Sequence, residues 1–317
     1  MFDSATPARG RYVAVIVTHD RPALLGLCLA AVLGQQRCPD LVIVVDNASG
    51  LATRTLLTQY GTVRVLRLPE NIGGAGGFRA GIELALEHDA DWVWLMDDDG
   101  RPCETSCLGS LIDTAAMCHA DLVGALVVDV DEPDRLSFPI RIAGRTHFRV
   151  AEVLACGPVS GFAHLFNGAL ISAALFHRIG LPDPRFFIRG DEVEFLFRAR
   201  RDGACIALDR QARFLHPGSH AEIHPIFGGL FYAVVPRDHA KQYYLFRNRS
   251  YIFRHYGMWG WLAANVIRYG YYYLVSRRLD VSGLGRWVAA TSAGWTGEFM
   301  TSRTVADEPV ASSYSQP

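Results

Sequence analysis

Residues 92–102 read WVWLMDDDGRP: five apolar side chains, three adjacent carboxylates, then Gly100, Arg101 and Pro102. An uninterrupted apolar run of this length predicts a strand buried on both faces, as in a parallel sheet covered by helices. Such sheets carry their ligands beyond the carboxyl ends of the strands, and this is where the three acids fall. If the extended backbone persists, Asp97 and Asp99 share one face and Asp98 takes the other. Two converging carboxylates suit a hard divalent cation, Mg²⁺ or Mn²⁺, that leaves positions open for phosphate oxygens. A solvated Asp-Gly turn is the plainer alternative.

Upstream, YVAVIV (12–17) and LVIVV (41–45) are short β-branched runs of the same kind. The helical pattern between them has Pro22 near its start, where the missing N–H costs least. The alternation continues with a strand over 63–67, a helix over 75–88, a strand over 91–96, a helix over 105–118 and the apolar run DLVGALVVDV. Repeated β-α units predict an α/β layered fold. The segment to about residue 150 reads as a loop with short strands, an elaboration on the acceptor side. A helix is expected over 190–201, followed by two short strands near 204–208 and 212–216.

The 317 residues are half hydrophobic and carry a net charge of −1, which gives no argument for a nucleic-acid partner. Seven scattered cysteines without a secretory leader fit a reduced cytosolic setting. Cys103 and Cys107 read as small core residues, since no second Cys/His pair accompanies them. No apolar run is long enough to predict a transmembrane helix.

Four further clusters carry chemistry. NIGGAGGFRAG (71–81) places Asn71, Gly73, Gly74, Gly76 and Gly77 before a helix. There the backbone can approach a ligand and helix N–H groups can face an anion; a flexible turn is the alternative. The spacing matches neither a dinucleotide fingerprint nor a P-loop. VDNAS (45–49) ends a strand with Asp46 and Asn47, placed either to hydrogen-bond a base or ribose or to cap a helix; Thr18 and Arg21 pose the same choice. FIRGDEVEF (187–195) crowds Asp191, Glu192 and Glu194 at a helix start, as a general base or as acids favoured by the helix dipole. In HPGSHAEIHP (216–225), Pro217 and Gly218 argue against a helical metal face, leaving His216 as one candidate ligand.

In order along the chain, VAVIVTHDRP, VVDNAS, NIGGAGGF, DWVWLMDDDGRP, LFNGAL, FIRGDEVEF and HP resemble an inverting family 2 glycosyltransferase with the GT-A fold, over about residues 11–290. GGAGGF, DDDGRP, LFNGAL and FIRGDEVE resemble, more narrowly, the galactofuranosyltransferases that begin the galactan of bacterial arabinogalactan. The resemblance implies transfer of galactofuranose from UDP-galactofuranose to a polyprenyl-diphosphate-linked GlcNAc-rhamnose acceptor. It implies cation ligation by Asp97 and Asp99 with His216 completing the set, and Asp98 facing the ribose. Thr18, Arg21, Asp46 and Asn47 then fall at the uridine, and Asn71 with Gly73, Gly74, Gly76 and Gly77 along the diphosphate and sugar. Alignment of the following Val-Glu points to Glu192 as base. Family members often carry aspartate there, so Asp191 stays in contention. A dTDP-rhamnosyltransferase is the rival within the class, and a non-catalytic nucleotide-sugar-binding membrane adaptor the rival outside it.

From residue 236 the sequence turns helical, basic and aromatic, with nine Lys or Arg against two acids between 237 and 286, a local charge of +7. Clustered cations with Tyr and Trp suit an anionic membrane surface, which implies peripheral attachment at the cytoplasmic face. Packing on the catalytic domain or in a homo-oligomer is the alternative. The expected division is therefore a GT-A domain over 1–235, a helical membrane or acceptor region over 236–303 and a disordered tail over 304–317.

Overall fold

The computed structural model describes residues 10–299, in two compact units. One holds the residues up to Pro184 together with Asp191–Ala221; the other holds Arg185–Gly190 and the residues from Glu222 onward. The tail expected over 304–317 lies outside the described residues.

The first unit opens with the expected alternation: β1 (Tyr12–Thr18), α1 (Pro22–Leu33), β2 (Leu41–Asp46), α2 (Leu51–Leu57), β3 (Arg64–Arg67), α3 (Gly73–Glu87) and β4 (Trp92–Asp97). There follow β5 (Arg101–Pro102), α4 (Cys107–Cys118), β6 (Leu122–Asp129), β7 (Arg135–Ile142) and β8 (Arg145–Arg149). Then come α5 (Val150–Leu154), β9 (Asn167–Ser172), α6 (Ala173–Ile179), α7 (Asp191–Asp202) and β10 (Ile206–His216). The sheet order is β3-β2-β1-β4-β9-β6-β10-β5, with β7 on β6 and β8 on β7. Strands β1 to β4 run parallel, while β9 is antiparallel to both β4 and β6, so the sheet is mixed.

Period-two burial explains why the strands lack polar faces. Val13, Val15 and Val17 pack in one core with Phe78 and Phe195, while Ala14, Ile16, Trp94 and Met96 pack in a second core with Leu29 and Leu111. The parallel ladder aligns Thr18 with Asp46 and Val17 with Asp97, which brings the polar ends of three strands to one edge.

Three local expectations need correction. LFNGAL supplies most of β9, a central strand that the pattern did not announce because Gly168 interrupts it. A Cβ on Gly168 would overlap the Phe214 ring, so close packing requires glycine there. The two short strands after α7 are one strand, β10, whose register shifts between Asp209 and Arg213. Asp209 absorbs the irregularity by accepting from the Gln211 and Ala212 N–H groups and from the Ser110 and Thr114 hydroxyls. Of the two cysteines read as core, Cys107 is buried and Cys103 is exposed.

The second unit contains β11 (Ile223–Ile226) and β12 (Phe231–Val234), then α8 (His239–His255), α9 (Trp259–Tyr271), a π-helical turn over Tyr272–Ser276 and α10 (Val281–Thr296). Its core joins Phe246, Tyr269, Tyr272, Tyr273 and Trp287 with Ile226 and Ala233 of the hairpin, so β11 and β12 belong with the helices. In α9 the usual arrangement is inverted: Asn265 and Tyr269 are buried, while Trp259, Trp261, Val266 and Ile267 are exposed. Among the described residues no helix is long and apolar enough to cross a membrane.

Candidate active site

Thr18, at the end of β1, donates its hydroxyl to Asp98 Oδ2 at 2.7 Å. Arg21, just before Pro22 opens α1, reaches both Asp98 Oδ1 at 3.0 Å and Asp99 Oδ2 at 2.7 Å. Asp98 is buried, and both its oxygens are bound by these two residues. Burial pushes its carboxyl up, against the opposing pull of Thr18 and Arg21.

Asp99 has a different environment. Burial pushes it up, but the His216 ring and Arg21 outweigh burial and leave it below the usual carboxylate value. His216, the last residue of β10, places Nε2 3.3 Å from Asp99 Oδ1. Its Nδ1 lies 2.8 Å from the Pro217 carbonyl, which can only accept, so Nδ1 carries the hydrogen. In the neutral ring Nε2 is then an acceptor facing Asp99 Oδ1, a buried oxygen with no hydrogen-bond donor. Asp97 is pushed well above the usual range by burial and then by the charges of Asp99 and Asp98.

Among the described residues no three His, Cys, Asp or Glu side chains converge closely enough to enclose a metal ion. The facing Asp99 and His216 nonetheless fit a divalent cation, because a carboxylate and an imidazole are common metal donors and the buried Asp99 Oδ1 makes no hydrogen bond beyond its approach to the His216 ring. Expected together with Asp97, they form an adjacent set rather than a closed cage.

The glycine segment departs from its expected use. Helix α3 already begins at Gly73, and Gly76, Gly77 and Gly81 are close-packing positions. A Cβ on Gly77 would stand 2.7 Å from Val17 Cγ1, and one on Gly76 2.7 Å from the Ile72 side chain; Gly81 lies equally tight on Val15. Gly77 and Gly81 seat α3 on β1 and β2, while Gly76 packs on the residue that leads into the helix. Asn71 and the N-terminal Gly73 and Gly74 remain at the open end, with the Asn71 amide oxygen accepting from Gly73 N.

Asp46 and Asn47 are both buried and engaged with protein. Asp46 accepts from Ser49 N at 2.8 Å and from Arg67 at 2.7 Å. Asn47 donates to the Gly73 carbonyl and accepts from Ile72 N, which ties the end of β2 to the start of α3. Arg67 was not among the sequence candidates, although its place opposite Asp46 in the β2–β3 register makes the pairing natural.

At the start of α7 the three acids separate. Glu194 forms a two-pronged ion pair with Arg198, at 2.8 and 2.9 Å, and Arg198 also donates to the Ile179 and Leu181 carbonyls. The i,i+4 spacing was visible in sequence. Asp191 is buried and raised well above its usual range, by burial first and then by the charge of Glu192 and a hydrogen bond to it. Glu192 is half-buried. The charge of Glu192 reaches Asp97, and that of Asp97 reaches Asp191, so the two acidic clusters lie within electrostatic reach of each other.

Residues 13–172 match the family described as glycosyl transferase family 2. The chain is 40% identical over 289 residues to the galactofuranosyltransferase GlfT1 of Mycolicibacterium smegmatis, covering 89% of this chain and 95% of that protein. Against GlfT1 of Mycobacterium tuberculosis it is 39% identical over 297 residues, covering 90% and 96%. In structure it is similar to the mannosyltransferase PcManGT of Pyrobaculum calidifontis, solved with GDP-Man and Mn²⁺, with a TM-score of 0.53 and 15% identity over 96% of this chain and 81% of that one. The mixed sheet flanked by helices is a GT-A fold, and the chain belongs to glycosyl transferase family 2.

Proposed function

We propose that this enzyme transfers galactofuranose from UDP-galactofuranose to a polyprenyl-diphosphate-linked GlcNAc-rhamnose acceptor, with inversion at the anomeric carbon. The observation that carries the reading is the similarity to GlfT1, which runs through nearly the whole of both chains. The two neighbouring acidic clusters support it chemically.

Glu192 takes the proton of the attacking acceptor hydroxyl. Asp191, kept protonated by burial and by its neighbour's charge, donates to Glu192 and holds that carboxylate in place. The hydroxyl oxygen attacks from the face opposite the leaving group, so one displacement suffices and no enzymic nucleophile is needed. Asp97, Asp99 and His216 are the residues that would hold Mg²⁺ or Mn²⁺, whose charge would stabilise the departing diphosphate. Arg21 and Thr18 fix the orientation of Asp98 and Asp99. Asp46 and Asn47 shape the nucleotide end through Arg67 and the start of α3, where the Asn71, Gly73 and Gly74 segment lines the diphosphate.

The lipid-linked acceptor suggests a membrane surface. The outward Trp259, Trp261 and Ile267 of α9, with exposed Arg277, Arg278 and Arg286 nearby in sequence, suit an anionic cytoplasmic leaflet. Raising salt should release the protein from anionic vesicles if charge holds it there.

The deciding experiment is product analysis with purified enzyme, a synthetic lipid-linked GlcNAc-rhamnose and two donors. Turnover with UDP-galactofuranose and none with dTDP-rhamnose is expected; the reverse preference overturns the reading.

A further inference from the structure

The segment Arg185–Gly190 enters α7 through an unusual backbone. Phe187 has φ 66°, Arg189 has φ 63° and Gly190 has φ 114°. For the two residues that carry side chains this left-handed conformation is unfavourable, and it persists only where surrounding contacts over-determine it. Those contacts come from two consecutive residues of α8.

Asn248 is fully buried, and the two N–H groups of its amide are shared among three carbonyls of the segment, those of Phe186 at 3.0 Å, Ile188 at 2.9 Å and Arg189 at 2.6 Å. Arg247, also fully buried, donates to the carbonyls of Arg185 and Phe186, each at 3.0 Å. Its Nε donates to Asn248 Oδ1 at 2.8 Å, which fixes the direction in which the Asn248 amide points. The Tyr244 ring lies 5.0 Å below the Arg247 guanidinium. Arg189 adds a two-pronged pair with Glu222, at 2.9 and 3.0 Å. A Cβ on Gly190 would stand 3.0 Å from Asn248 Cβ, so the last residue of the segment is fitted to the same side chain.

Gly190 is bonded directly to Asp191, and Glu192 follows. A backbone held this firmly, immediately before the acids at the start of α7, has a use beyond packing. We propose that Arg247 and Asn248 are positioning residues for the reaction: by fixing the conformation of Arg185–Gly190 they fix the direction in which the chain delivers the Glu192 carboxylate. The proposal rests on the reading of Glu192 as general base. Neither residue touches the reacting atoms.

The test is a double-mutant cycle in the full-length enzyme, with turnover, donor KM and UDP affinity measured for each variant. Asn248→Ala is expected to lower kcat at least tenfold while donor KM and UDP affinity change less than twofold. Gly190→Ala disturbs the same segment while keeping the Arg247 and Asn248 side chains and should give the same split, which covers the case where the Asn248 variant fails to fold. Asn248→Gln, which keeps the amide, should recover part of the loss. In a Glu192→Gln background, Asn248→Ala or Gly190→Ala should cost little more, because the group being positioned is already gone. Full kcat in folded Asn248→Ala or Gly190→Ala, losses shared equally by UDP binding, or full additivity with Glu192→Gln each overturns the proposal. Wild-type turnover in Glu192→Gln alone identifies the base assignment as the failed step and overturns the proposal with it.

Discussion

The acids at the end of β4 and those at the start of α7 have nearly the same composition, three carboxylates within four residues, and the protein divides each set in the same way. One buried member of each has both its oxygens bound with the help of an arginine: Asp98 by Arg21 with Thr18, and Glu194 by Arg198, while Arg21 also reaches Asp99. One is raised well above its usual range, first by burial and then by neighbouring carboxylates: Asp97 in the first set, Asp191 in the second. The third differs. Asp99 faces a histidine whose other nitrogen is already committed, whereas Glu192 is hydrogen-bonded to Asp191, a carboxyl pushed well above its usual range. A carboxylate beside an imidazole is equipped to share a cation, and one beside a carboxyl of raised pKa is equipped to handle a proton. Carboxylates thus acquire different chemistry from their partners.

The largest effect should come from Glu192→Gln. As the loss of a general base it is expected to lower turnover by about 10²–10⁴-fold while UDP binding stays within twofold, read by initial rates and calorimetry. Comparable turnover would erase the distinction between the two clusters.

Glu194→Ala should separate structure from catalysis within the α7 set. It removes two charge-assisted hydrogen bonds from a buried carboxylate, and stability should fall by about 2 kcal/mol in chemical denaturation. The folded enzyme should keep kcat within severalfold. A loss of kcat as deep as that of Glu192→Gln would mean that the roles have been exchanged.

The smallest effect is thermal. Because the folded-state pKa of Asp191 is raised, its ionisation is penalised in the native protein, and the penalty is complete only above that raised value. Asp191→Asn should therefore raise the melting temperature at pH 8. The gain should shrink as pH falls through the raised value and vanish near the ordinary carboxylate pKa. A gain independent of pH would show that the site does not penalise charge.

Much of this arrangement was legible in the chain. WVWLMDDD fixes both the buried strand and the point where it meets solvent, because only a two-sided core tolerates five consecutive apolar residues before such acids. The first four strands and their helices follow from the same pattern. What the sequence hid was created by tertiary contact. Strand β9 was obscured by Gly168, which is required by the Phe214 ring of β10. The glycines of α3 read as a ligand cradle, but Gly77 and Gly81 answer to Val17 and Val15, valines that lie sixty or more positions away in the chain. Asp46 and Asn47 read as base-binding groups, and only the fold brings Arg67 and Gly73 to their side chains. The inverted burial of α9 was likewise invisible to composition, since Trp and Tyr serve a core and a membrane surface equally well.

The account depends most on the space between Asp99 and His216. Calorimetric titration of UDP with Mn²⁺ and with chelator, for the native enzyme and for Asp99→Ala, tests it directly. The native protein should bind UDP at least tenfold more tightly with the cation, and the variant should bind equally weakly in both. Equal affinity of the native enzyme with and without the cation, or an undiminished cation effect in Asp99→Ala, would contradict it.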